Sequence, residues 1–210
     1  MVYEVVYLYD VDELVTLLVS LPTHRKLAMS YSHKLRDLYF IRFAFAIVWV
    51  GVMFASAAAA AEPTALLTVL LVIYPAFDAG AVLWQLRADP NADRSTTSQW
   101  ISVVVSVLVA IALGISSSIA LPAALAVWGI WAIVAGIPQL VTAIRNRKAG
   151  GQVAQMLSGG ISVFAGAGFL VQGIQGKTMM TGPAGYAMLG AIFFLISAIR
   201  LSIKLRKVTA

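Results

Sequence analysis

Six long apolar runs dominate this sequence and constrain its fold more than any other feature. Each is close to the ~20 residues that a helix needs to cross ~30 Å of hydrocarbon. The third and fourth runs are continuous and together too long for one crossing, so the chain must fold back near 116–122. We expect transmembrane helices at about 39–60, 64–86, 100–118, 121–144, 152–174 and 182–203. The sequence therefore predicts an all-α, polytopic membrane protein.

Composition excludes a water-soluble fold. Hydrophobic residues make up 60% of the chain and charged residues 11%, whereas soluble domains carry about 25% charged residues. The net charge of +6 does not indicate nucleic-acid binding, because the basic residues lie at the ends of the apolar runs. The expected partner is the lipid bilayer itself, with association with further copies or other membrane proteins left open.

The distribution of basic residues predicts the orientation. Of the fifteen Lys and Arg residues, all except Lys177 lie before or at the start of the first run, in the second and fourth connectors, or at the C-terminal end. Short loops rich in Lys and Arg stay in the cytoplasm. Both termini are therefore expected on the cytoplasmic side of the cell's inner membrane.

The short connectors between odd and even runs predict three antiparallel hairpins with a weak internal repeat. In each even helix, two positions seven residues apart fall on one face, where small residues let helices approach closely. These pairs are Ile73 and Gly80, Gly129 and Gly136, and Gly190 and Ser197.

The fifth run has a similar stripe of small residues. Ser158, Ser162 and Gly166 follow one another at four-residue spacing, which places them on one helix face. We expect this face, with Gly80, Gly129 and Gly136 of the even helices, to pack closely. The partner helix lies inside the bundle or in another protomer, and the first alternative is slightly favoured.

Two apolar motifs and one basic motif resemble the HdeD-like acid-resistance membrane proteins, a family built from a short two-helix repeat of unknown function. The motifs are Ile73-Tyr-Pro-Ala-Phe-Asp-Ala-Gly80, Trp128-Gly-Ile-Trp-Ala-Ile-Val-Ala-Gly136 and the basic exit Ala143-Ile-Arg-Asn-Arg-Lys148. The resemblance covers about 35–207. It implies a six-helix inner-membrane protein, in some members linked to acid stress, and it supplies no catalytic residues.

Residues 1–34 differ from the rest of the chain and are expected to form a polar or amphipathic N-terminal segment. Asp10-x-x-Glu13 is typical of a capping box and predicts a short helix at about 11–20 that ends before Pro22. Met29 is an alternative start of the native protein.

Asp78 is the strongest candidate functional residue, because a carboxylate inside an apolar helix is costly and often functional. Arg42 lies in the neighbouring helix of the same hairpin and could pair with it. Two hypotheses follow: a structural ion pair, which we favour, or a site that handles protons or cations.

Glutamines recur in the runs, at positions 85, 139, 155 and 172. They could line a polar path, but hydrogen bonding between helices is the favoured interpretation.

The sequence contains no recognisable catalytic motif. It has no cysteine, both histidines precede the first run, and H-E-x-x-H, G-x-S-x-G and Walker sequences are absent. We therefore expect no enzyme activity, no cofactor and no metal. The favoured role is structural or stress-protective. The alternatives are a small proton- or cation-coupled transporter or channel that uses Asp78, and an accessory subunit of a larger membrane complex.

Overall fold

The computed structural model describes residues 22–57, 62–89, 96–145 and 152–209. Within these ranges the chain is helical apart from short turns, and six helices are long and apolar enough to cross a membrane. They are α1 (Pro22–Ala57), α2 (Ala65–Ala88), α3 (Thr97–Ile119), α4 (Leu121–Arg145), α5 (Gln152–Ile174) and α6 (Thr181–Thr209). The predicted all-α, polytopic membrane fold is confirmed.

The bundle has one end rich in basic residues, which we call the basic face. Even helices end there, with Arg87, Arg145, Arg206 and Lys207 in their last turns. Lys177 lies in the turn between α5 and α6, at the opposite end.

Helices α1 and α6 are longer than the apolar runs that predicted them. Helix α1 begins at Pro22 and includes residues assigned from the sequence to the N-terminal segment, and α6 continues to Thr209. The start of α1 packs against the end of α6, since Leu35 and Leu38 share a cluster with Leu201 and Leu205. Hydropathy marks only the part of a helix that lies in hydrocarbon, so it missed these ends. The helix predicted at about 11–20 lies outside the described residues.

The most extensive helix contacts are α4 with α5, α2 with α3, and α1 with α6. The hairpin partners are α1 and α2, α3 and α4, and α5 and α6. They are separated by short connectors in the sequence but contact each other less. Hairpin connectivity therefore did not identify the closest pairs, because close packing in a membrane depends on where small residues allow backbones to meet.

Glycines fix the α4–α5 interface. A Cβ added to Gly129 would lie 2.5 Å from the Gly166 carbonyl oxygen, and one added to Gly159 would lie 2.8 Å from the Leu140 nitrogen. Only glycine permits such an approach of two backbones. Gly159, Gly166 and Gly173, seven residues apart, form the face of α5 that meets α4.

The buried face of α6 follows a heptad pattern, with spacings that alternate between three and four residues. These residues are Ala184, Ala187, Ala191, Phe194, Ala198, Leu201 and Leu205. Such a pattern keeps one seam of a helix against a single partner, which here is α1.

The core changes character along the membrane normal. In the half away from the basic face, all six helices contribute to one apolar cluster. In the half near the basic face, the core divides into an α1–α6 cluster, which includes Ala81, and a small α2–α3 cluster around Val82 and Val103. Asp78 lies on α2 where this division begins.

Candidate functional site

Arg42 and Asp78 form an ion pair inside the bundle. The Nη1 atom of Arg42 donates to Oδ1 of Asp78 at 3.1 Å. Its Nη2 atom lies 3.4 Å from the Asp78 carbonyl oxygen. The side chains are only 2% and 4% exposed, so the pair is shielded from water and lipid alike.

The geometry of the α1–α2 hairpin explains why these residues meet. Arg42 precedes the end of α1 by fifteen residues and Asp78 follows the start of α2 by thirteen. At 1.5 Å per residue, both lie about 20 Å from the connector between the helices. Asp78 is then about 15 Å from the basic end of α2, which is well within the hydrocarbon depth.

Two further helices hold the pair. The Ser106 hydroxyl of α3 donates to Oδ2 of Asp78 at 2.9 Å. On the other side, the guanidinium carbon of Arg42 lies 5.1 Å from the ring centre of Phe194 in α6, within cation–π range. One carboxylate and one guanidinium thus connect α1, α2, α3 and α6.

A small cavity of about 10 Å³ lies beside the ion pair, roughly the space that one water molecule requires. It is lined by Arg42, Phe45, Ala46, Tyr74, Phe77, Asp78 and Phe194. A second cavity of about 20 Å³ lies between α3 and α4, where Ser102 and Ser106 face Trp131.

An aromatic cluster lies on the side of the ion pair away from the basic face. Trp49 stacks on Trp128 with ring centres 5.6 Å apart, and Tyr74 lies 4.5 Å from Trp49. The Trp49 indole nitrogen donates to the Leu70 carbonyl at 2.7 Å. These rings fill the centre of the bundle directly beyond the Arg42–Asp78 pair.

The structure brings most of the predicted packing residues together. Gly129 meets Gly166, and a Cβ on Gly136 would lie 2.8 Å from Cβ of Ser162. The hydroxyls of Ser162 and of Tyr186 in α6 also form a hydrogen bond with each other at 2.8 Å. Ser158, four residues before Ser162 on α5, is buried as well.

Gly80 differs from its prediction. It is exposed, and a Cβ at this position would meet nothing within 4 Å. Ile73, its partner in the seven-residue pair, is 44% exposed. In α2 the predicted packing face therefore points away from the other described helices, and Asp78 and Tyr74 occupy the inward face instead.

Sequence reasoning missed Ser106, although a signal for it exists. The pattern Gln99-x-x-Ser102-x-x-x-Ser106 in α3 returns as Gln155-x-x-Ser158-x-x-x-Ser162 in α5. The second serine of each copy hydrogen-bonds to a polar group on a neighbouring helix, Asp78 or Tyr186. This repeat in the odd helices marks the inward polar positions better than the glycine spacing of the even helices does.

The glutamines do not behave as expected. Gln85 and Gln139 are 1% and 0% exposed, and neither side-chain amide has a hydrogen-bond partner. Gln172 donates within its own helix, to the Gly168 carbonyl at 3.2 Å. The predicted hydrogen bonds between helices are not made by these three residues.

Among the described residues, no group of three or more His, Cys, Asp or Glu side chains could hold a metal ion. What the arrangement does provide is one buried carboxylate with a fixed cation and a hydroxyl donor.

No family model, curated protein or solved structure matches this chain. The resemblance to the HdeD-like proteins therefore depends on the sequence motifs alone.

Proposed function

We propose that this multi-pass membrane protein has a structural or stress-protective role in the cell's inner membrane, without catalysis and with both termini in the cytoplasm. The observation that carries the proposal is the burial of Asp78 against Arg42 and Ser106. A carboxylate held in this way by a cation and a hydroxyl connects helices, and it needs no substrate to explain its presence in the membrane.

The surroundings of the pair support a structural role. The aromatic cluster of Trp49, Tyr74 and Trp128 closes the bundle on one side of it. The adjoining cavity has space for about one water molecule. A transporter or channel in this conformation would need a wider path past these rings.

The accessory-subunit alternative loses its main support from the sequence. It depended on a small-residue stripe of α5 that could receive another protein. Gly159 and Gly166 are instead covered by α4 of the same chain, so this face is already used.

A link to acid stress is suggested by the HdeD-like resemblance. The protective part of the proposal predicts higher acid survival of cells that contain the protein than of cells that lack it.

A flux assay separates the structural role from transport. Liposomes that contain the purified protein are given a pH gradient, and the internal pH is followed with a trapped dye. We expect the gradient to decay at the rate of protein-free liposomes. Faster decay that Asp78→Asn abolishes would overturn the structural role in favour of a proton-coupled transporter.

A further inference from the structure

The residues before Pro22 differ in charge from the rest of the chain. They contain four acidic side chains and no Lys, Arg or His, whereas all fifteen Lys and Arg residues follow Pro22. The chain has only nine acidic residues, so nearly half of them lie in this one segment, 1–21, which we call the acidic arm. These four residues are Glu4, Asp10, Asp12 and Glu13.

The basic face has the opposite charge. Among the described residues at this end of the bundle, the acidic ones are Asp37, which already pairs with Arg36, and Asp89. Four helices place exposed cations at the same end, and the described part of this face is therefore positively charged. These cations are Lys34 of α1, Arg87 of α2, Arg145 of α4 and Lys207 of α6.

The acidic arm is attached close to this face. Helix α1 begins at Pro22, twenty residues before Arg42, so the arm joins the bundle about 30 Å from the Arg42–Asp78 pair. Asp78 lies about 15 Å from the basic end of α2, so the junction lies about 15 Å beyond that end. A short tether holds a segment at roughly millimolar effective concentration, so contacts too weak for separate molecules are sufficient here.

The alternative places for the arm are less favourable. Anionic lipid headgroups, which attract the basic helix ends, repel a segment with four carboxylates. The short helix predicted at about 11–20 has one apolar side, and a helix of this length is not stable alone in water. Contact with the basic face neutralises the carboxylates and gives the apolar side a protein surface to pack on.

The ion pair gives a second, independent indication. Asp78 has a further interaction with a part of the chain outside the described residues. The parts 90–95 and 146–151 are held at both ends on the basic face, and a fully extended loop of this length brings its backbone only about 12 Å from those ends. The part 58–61 belongs to the opposite end of the bundle. The arm is long enough, because its first nine residues alone span about 30 Å when extended.

We propose that the acidic arm docks on the basic face of its own chain, with its carboxylates against the exposed cations of α1, α2, α4 and α6 and its leading residues extending into the bundle towards Asp78. The arm then covers the end of the bundle from which the ion pair is approached. This docking is independent of the structural or stress-protective role, because it concerns only how the chain covers one of its own faces.

Distances between two spin labels test the docking. The chain has no cysteine, so introduced cysteines are the only labelling sites. One label is attached to the arm through Val5→Cys. The other is attached to α2 through Gly80→Cys, at the level of Asp78, where an added Cβ meets nothing within 4 Å. The matched control keeps the size of the arm and removes its charge, through Glu4→Gln, Asp10→Asn, Asp12→Asn and Glu13→Gln.

Double electron–electron resonance of the full chain in lipid bilayers measures this distance. A free arm would place residue 5 about 40 Å from Gly80 on average, with a wide spread, because a coil of seventeen residues separates it from Pro22. For the charged arm we expect a narrow distribution at about half that distance. The neutral arm should give the wide distribution, and high salt should widen that of the charged arm, since exposed charges are screened.

Each other result would overturn part of the proposal. A wide distribution for the charged arm would exclude docking, and equally narrow distributions for both arms would exclude its dependence on charge. A narrow distribution at the longer distance would exclude the extension towards Asp78. Short distances that appear only between singly labelled chains mixed in one bilayer would assign the arm to a second copy. None of these results would change the outcome of the flux assay above, so the two proposals fail separately.

Discussion

Arg42 connects its own helix with two others. Its guanidinium donates to Asp78 of α2, lies over Phe194 of α6, and projects from α1. The carboxylate that it neutralises also accepts from Ser106 of α3. A buried ion pair is not strongly stabilising compared with apolar residues of the same size, but removing one partner leaves an uncompensated charge in a medium that solvates it poorly.

A double-mutant cycle tests this account of the pair. Arg42→Met alone and Asp78→Leu alone are each expected to lower the free energy of unfolding by on the order of 3 kcal/mol, because each leaves one buried charge without its partner. The double variant should lose less than either single variant, since no charge remains. Equilibrium unfolding in mixed micelles measures all four proteins. Additive losses would contradict the pairing.

At this scale the sequence revealed the charged residues but not all of their partners. Asp78 and Arg42 stand out because charges are rare in apolar runs, and their similar distances from the α1–α2 turn bring them to one level. Ser106 and Phe194 belong to residue types that are common in membrane helices. Their role depends on how α3 and α6 pack against the hairpin, which spacing within one helix does not encode.

Among the helices, the α4–α5 pair shows how glycine sets the distance between two elements. The Gly129 and Gly166 backbones are in direct contact, as are those of Gly136 and Gly159. The seven-residue spacing predicted correctly that Gly129 and Gly136 share a face. The same spacing in α2 did not show that Ile73 and Gly80 point outward. Because α2 is apolar on most of its faces, hydropathy does not indicate which face is buried, and only its few polar residues mark the inward side.

Alanine substitutions at two glycines test this difference. Gly129→Ala would place a Cβ 2.5 Å from backbone atoms of α5, so α4 and α5 must separate. We expect a loss of about 1–3 kcal/mol in the free energy of unfolding. Gly80→Ala is the control, since its Cβ meets open space and alanine favours helix; its stability should be unchanged or slightly higher. Equal effects at both positions would contradict the assigned packing.

On the scale of the whole molecule, the bundle has two unlike halves. One half is filled by aromatic and aliphatic side chains from all six helices. The other has its basic ends, a divided core and the inward polar residues. This asymmetry places the Arg42–Asp78 pair where the apolar filling ends.

The sequence predicted the number of helices because crossing hydrocarbon requires a minimum apolar length, which hydropathy measures directly. It did not predict that α1 and α6 pack together, because their contact joins opposite ends of the chain. In retrospect, the alternating three- and four-residue spacing from Ala184 to Leu205 indicates that α6 has one long seam for a single partner. No pattern within α6 identifies that partner as α1.

The orientation of the helices is the claim on which the remaining proposals depend, and reporter tags measure it directly. One tag is inserted after Lys148, between α4 and α5, and the other in the turn at 178–182, between α5 and α6. We predict that the first tag reports the cytoplasm and the second the opposite compartment, because α5 crosses the membrane between them. Both tags on the same side of the membrane would contradict the six-span architecture.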